Sequence, residues 1–187
     1  MTLEEIAIKV IEATEMAGMS YMTVGAIAAG THGIPRSTSD VDLLIDIKSG
    51  KGINTIVQNL EPYVRFSPQV VFDTFTWGRR HIGKSKFEPP YGVELFETFD
   101  DPFVHSEFSR RYHQFVPLLG RKTWLPTAED VIVQKLRWGR SKDLDDARDV
   151  LAVQGPETLD MVYINHWCTE HGTIGRLQAA LDSIPPL

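Results

Sequence analysis

The chain has 187 residues, of which 42% are hydrophobic and 24% charged, and a formal net charge of −6. That length and composition suit one globular domain with a real core, and the acidic balance argues against a protein that coats nucleic acid non-specifically. No apolar run approaches the roughly 20 residues that span a bilayer. The N-terminus lacks a signal-peptide pattern and Cys168 has no internal partner, so a cytoplasmic protein without membrane attachment is expected.

In chain order, Leu3, Ile6, Val10 and Ile11 predict a helix over 3–17. "MSYMTVG" (19–25) reads as a short strand ending on Gly25, and "AIAAGTHG" as a small-residue helical turn packed on it. Residues 33–39 form a loop, since Pro35 disfavours helix at Ile34. "DVDLLIDI" (40–47) is the clearest strand, followed by a turn and a helix over 53–64. Strands are expected in 69–77, 79–87 and 91–99, with Pro89 and Pro90 between the last two. A hairpin turns around Gly120, and residues 100–112 receive no element. From 127 the chain is helical, with Thr127 as N-cap, in segments 127–139, 141–153, 155–172 and 173–184. The prediction is an α/β core over 1–125, with a helical region over 126–187 packed on it as a single unit.

The strand at 40–47 poses an electrostatic problem. Side chains alternate along a strand, so Asp40 and Asp42 share a face and repel. Simple exposure to water is one solution. A divalent cation is the other, because Mg²⁺ is commonly held by one or two carboxylates plus substrate phosphates. The flanks supply phosphate donors: Gly25 and Ala26 at a helix start, Arg36, and the hydroxyls of Ser37, Thr38 and Ser39. Two locally basic segments, 78–86 and 135–142, could grip a phosphate-bearing ligand at one place. The glycine spacing of "GAIAAGTH" (25–32) matches a P-loop, but Thr31 and His32 stand where lysine and a hydroxyl residue belong.

The stretch "VGAIAAGTHGIPRSTSDVDLLIDI" resembles the signature of the DNA polymerase β-like nucleotidyltransferase superfamily. Its spacer is similar to that of the abortive-infection-type branch found in bacterial toxin–antitoxin systems. "AEDVIVQKLRWGRSKDLDDARDVL" (128–151) resembles the later helical motif of that branch. The resemblance implies a mixed sheet flanked by helices, with a helical C-terminal third. It implies transfer of a nucleoside monophosphate from an NTP to an acceptor hydroxyl with Mg²⁺, in a two-ion site. Asp40 and Asp42 would hold the metal, with Glu94 in "YGVELFE" as third carboxylate and base, and Asp46 or Glu97 as fallbacks. Asp46 stands about 13 Å along the strand from Asp42, which makes it a poor ligand. Gly25 and Ala26 would face the triphosphate, beside Arg36 and Ser37, Thr38 or Ser39. Lys135 would reach the phosphates, and Asp143 and Asp146 would position Lys135 or the base. Ala26 departs from the serine or glycine usual there. The acceptor stays open between tRNA, a partner protein and a small molecule, as do the nucleotide and the oligomeric state. A non-catalytic binding or antitoxin-like partner with the same fold, and γ-phosphate transfer, are the alternatives.

Other residues have plainer readings. His32 reads as a packed, hydrogen-bonded histidine. "HWCTEH" (166–171) fits no tetrahedral zinc set and reads as helix surface. The 79–86 run reads as a solvated hairpin, with an RNA contact beside Trp77 and Phe87 as the minor option. Trp124, Trp138 and Trp167 read as core or interface anchors. Asp143, Asp145, Asp146 and Asp149 could be a charged helix face pairing with Lys142 and Arg148.

Overall fold

The computed structural model describes residues 1–73, 76 and 78–184. Helix α1 (Leu3–Met16) opens on a reciprocal cap: the Thr2 hydroxyl accepts the Glu5 N–H and the Glu5 carboxylate accepts the Thr2 N–H. Strand β1 (Tyr21–Thr23) is shorter than the predicted 19–25, because Gly25 already begins helix α2 (Gly25–His32), although the Val24 N–H still bonds across to the Asp42 carbonyl. Strand β2 (Asp40–Ile45) stops short of residue 47, where Asp46 folds a turn by accepting the Lys48 N–H.

Helix α3 (Ile53–Leu60) ends four residues before the predicted boundary of 64. Pro62 has no N–H to continue it, and Val64 opens strand β3 (Val64–Phe72) instead. The register of β3 slips between Phe66 and Val70, where Pro68 sits on the outer strand of the sheet. A proline is tolerated there, and it hid the first half of this strand from the sequence pattern. Part of the predicted strand 69–77 falls on residues 74, 75 and 77, and these, Trp77 included, lie outside the described residues. Strands β4 (Arg79–Ser85) and β5 (Gly92–Glu97) follow.

Helix α4 (Pro102–Arg110) has no counterpart among the predicted elements. Its signal is the pair Asp101-Pro102: the Asp101 carboxylate accepts the N–H groups of Phe103 and Val104, and proline suits the first helical turn. Strands β6 (Tyr112–Val116) and β7 (Arg121–Leu125) form the hairpin, turning at Gly120 with φ 59°. Helices α5 (Ala128–Trp138), α6 (Ser141–Gln154), α7 (Met161–Glu170) and α8 (Ile174–Asp182) complete the chain. No helix among the described residues is long and apolar enough to cross a membrane.

The main sheet has the order β1-β2-β5-β4-β3, with β2 and β5 parallel and the other neighbours antiparallel. One face is apolar. Val41, Leu43 and Ile45 of β2 and Val93 and Leu95 of β5 are fully buried in a core shared with Ile6, Val10 and Ile11 of α1 and Ile56 and Leu60 of α3. The same core takes in Leu136, Val150 and Ile164 of the C-terminal helices. The opposite face carries Asp40, Asp42 and Leu44 beside Gly92, Glu94 and Phe96. A helix-rich layer therefore anchors one side of β2 while its acids emerge on the other. Leu43→Ala should cost roughly 2–5 kcal/mol. It should lower the urea midpoint at unchanged slope; an unchanged midpoint would show that this face does not anchor the sheet.

Candidate active site

The acids of β2 and β5 are brought together by the parallel register, which sets Asp42 opposite Glu94 and Asp40 opposite Gly92. Two glycines make room for them. A Cβ at Gly25 would stand 1.9 Å from Asp42 Oδ2, and one at Gly92 would stand 2.2 Å from Asp40 Oδ1. Gly25 also has φ 65°, a conformation other residues rarely adopt. Each carboxylate thus rests on bare backbone. Gly25 and Ala26 line the same cleft as the first residues of α2, whose first-turn N–H groups lack intrahelical partners.

The rest of the cleft is largely basic: Arg36, Arg80, Lys135, Arg140 and Lys142 all line it, with Phe96, Trp138 and Asp73. Lys135, only 4% exposed, lies 2.7 Å from Asp146 and 3.2 Å from Asp143. Arg36 grips Asp146 with two donors at 2.6 and 2.9 Å, and Arg140 reaches Asp143 at 2.5 Å. Three cations thus share two buried carboxylates. Burial alone would raise the Asp146 carboxyl, but hydrogen bonds from Arg36 and Lys135 outweigh it and hold it below its ordinary value. The acid row of α6 divides accordingly: Asp145 and Asp149 pair at the surface with Arg148, while Asp143 and Asp146 turn inward.

On the sheet itself, Arg80 donates to Glu94 at 2.9 Å from the diagonal position on β4. The 79–86 run is therefore not a solvated hairpin but an interior strand, and Arg80 faces the acids. Asp42 has no such partner among the described residues. Burial first, then the charges of Glu94 and Asp40, push its carboxyl up to about 7, against the opposing pull of Lys135 and Lys142.

Not every predicted residue converges. Thr38 lines the cleft, its hydroxyl accepting the Asp40 N–H, and Ser39 donates to the Asp40 carboxylate, but Ser37 is exposed and only its carbonyl is engaged, by Arg36. The fallback Glu97 is bound to His81, and Asp46 belongs to its turn. His32 is buried and bonds to the Pro126 carbonyl. Cys168 is fully buried and His171 packs edge-on against Phe103, so "HWCTEH" faces the core as much as the surface. Gly92, Arg80, Arg140, Lys142, Asp73, Phe96 and Trp138 were not singled out for the site. The two basic segments carried the signal for the cations; the register of β4 and β5, invisible in one sequence, was needed to place Arg80 and Gly92.

Asp40 and Asp42 offer the hard carboxylate oxygens that Mg²⁺ takes, and the unbalanced negative charge at Asp42 suits a cation. Glu94 is committed to Arg80, and among the described residues no three His, Cys, Asp or Glu side chains stand ready at metal-ligand spacing. Two carboxylates nonetheless match a Mg²⁺ that completes its shell with water and phosphate. In chelator, the raised Asp42 carboxyl binds a proton in the folded state that the unfolded chain, with an ordinary pKa near ~3.9, releases. Stability should therefore fall as pH rises from about 4 to about 7, by on the order of 4 kcal/mol. Asp42→Asn should flatten that slope in melts at pH 5 and 8; an unchanged slope would contradict the assignment.

Neither a family model nor a curated protein matches the sequence. Solved structures do match. The solution structure of the antibiotic-resistance factor ANT(2'')-Ia superposes with TM-score 0.61 at 12% identity, over 94% of this chain and 96% of that one. Its crystal structure with adenylyl-2''-tobramycin gives 0.60 at 13%, over 91% and 99%. An antigenic nucleotidyltransferase-like protein from Paracoccidioides brasiliensis gives 0.53 at 20%, over 99% and 94%. At such identities the likeness is one of architecture: the chain has a mixed α/β fold of the nucleotidyltransferase type, with a helical C-terminal part.

Proposed function

We propose that the chain is an Mg²⁺-dependent nucleotidyltransferase that moves a nucleoside monophosphate from an NTP to an acceptor hydroxyl. The observation that carries this is the cleft itself: Asp40 and Asp42 seated on Gly92 and Gly25, facing Arg80, Lys135, Arg140 and Lys142. Carboxylates for a cation and cations for phosphates stand within one opening.

Bound there by Asp40 and Asp42, Mg²⁺ would supply charge neutralisation of the phosphates and alignment of the attack. The chain's own groups do the rest. First-turn N–H groups of Gly25 and Ala26, with the Thr38 hydroxyl, would donate to the triphosphate. Lys135 and Arg140, held by Asp143 and Asp146, would stabilise the charge that builds as pyrophosphate leaves, with Lys142 and Arg36 at the rim. Glu94, oriented by Arg80, would accept the proton of the acceptor hydroxyl as its oxygen bonds to the α-phosphorus. The net charge of −6 and the adenylylated antibiotic in the ANT(2'')-Ia complex favour a small-molecule or protein acceptor over tRNA. A toxin–antitoxin role and a cytoplasmic location rest on the sequence alone.

The Arg80–Glu94 ion pair and the missing hydroxyl at Ala26 favour a second reading, a non-catalytic partner protein with the same fold. Label from an α-³²P NTP, supplied with Mg²⁺ and either cell lysate or candidate acceptors, separates the two. Transfer is expected from the wild type, and Asp42→Asn should reduce it by about 100-fold or more. Transfer that survives the substitution, or none to any acceptor, would contradict the enzyme. Transfer from γ-³²P but not α-³²P would show phosphotransfer instead.

A further inference from the structure

Beside the cleft, sharing Phe96 and Trp138 with it, lies a second pocket one step further along β2 and β5 on the same sheet face. Its described walls are mostly apolar, with Val24, Leu44, Phe99 and Val104. Thr76 and Glu97 also line it but are paired with Asp73 and His81, and two further polar groups break the pattern. Glu107 of α4 lines the pocket at 4% exposure and makes no hydrogen bond or ion pair among the described residues. Gln134 of α5 also lines it, and its Oε1 is buried without a hydrogen-bond partner. Nearby acids offer Glu107 nothing: Asp130 is engaged by Thr127, Arg110 and Tyr163, and Asp101 by Arg137 and the start of α4. Unpaired polar groups are rare in a native interior, and two in one mostly apolar pocket call for a ligand that pairs them.

Resting on the reading of the neighbouring cleft as an NTP site, we propose that this pocket holds the nucleotide's base and selects one with an amino group beside an unprotonated ring nitrogen, as in adenine and cytosine. Burial pushes the Glu107 carboxyl well above the usual range, with Asp130 and Asp101 adding to it and Arg137 opposing. A neutral carboxyl presents one O–H donor and one carbonyl acceptor. The ring nitrogen would accept the Glu107 O–H. The amino group would give one hydrogen to the Glu107 carbonyl and the other to Gln134 Oε1. Uracil and hypoxanthine place a carbonyl oxygen where that amino group sits, so Gln134 Oε1 would face another acceptor. Phe96 and Trp138, with ring centroids 6.0 Å apart, would form the shared wall between base and phosphates.

The test is calorimetric titration of the full chain, with Mg²⁺, against ATP, ITP, CTP, UTP and inorganic tripolyphosphate. ATP should bind about tenfold tighter than ITP, and CTP than UTP. Glu107→Met and Gln134→Leu should each bring those ratios close to one, and tripolyphosphate, which has no base, reports the phosphate cleft separately. Thermal melts check that both variants fold. Equal affinities in the wild type, or ratios that survive both variants, would overturn the base pocket. Tripolyphosphate bound with no base preference would overturn the pocket alone. No binding of tripolyphosphate or any NTP would overturn the NTP site and the pocket together.

Discussion

The cleft depends on one steric arrangement, the seating of two like-charged carboxylates against two glycines on a parallel strand pair. With Asp42 Oδ2 1.9 Å from where a Gly25 Cβ would stand, no side chain fits at position 25 unless the acid moves. The same holds for Asp40 over Gly92. The repulsion is tolerated because strand alternation couples it to something favourable. Each residue that pushes Asp40 and Asp42 toward the cleft is flanked by one that buries Val41 or Leu43 on the opposite face. A one-residue slip of β2 would put the acids into the core, so the hydrophobic layer fixes the register that the acids oppose.

The basic wall is fixed by a different device. Asp146 is shared between Lys135 of α5 and Arg36 in the loop that delivers β2. One buried carboxylate therefore ties the cation side of the cleft to the carboxylate side. Removing one partner of such a buried set costs roughly 3–5 kcal/mol, because the remaining charges stay desolvated and unpaired. Arg36 is consequently a structural clasp, and Lys142, which lines the same cleft and has no ion pair among the described residues, is the freer cation.

Much of this was legible in the residues. The alternation in "DVDLLIDI" marked the strand and the shared face of its acids, and Thr127 marked the start of the helix that carries Lys135. Interactions between distant segments were not legible. Arg80 reads as one charge among several until β4 is known to lie inside the sheet beside β5. Glu94 could be named from its apolar neighbours, yet its bond to Arg80 depends on a cross-strand diagonal that a lone sequence does not encode. Gly92 falls inside the predicted strand 91–99, but its place as the floor under Asp40 depends on the pairing of β5 with β2. Pro68 obscures the first half of β3, and the short polar pattern of α4 is marked only by its Asp101-Pro102 cap.

The central claim is that paired acids at the head of β2 exist to hold a divalent cation against a nucleotide's phosphates. Anomalous diffraction from crystals grown with Mn²⁺ and a non-hydrolysable NTP analogue addresses it most directly. The account predicts a manganese peak bonded to both Asp40 and Asp42 and to phosphate oxygens, with Lys135 and Arg140 facing the same phosphates. Ordered nucleotide elsewhere, or no manganese peak at these two side chains, would contradict it.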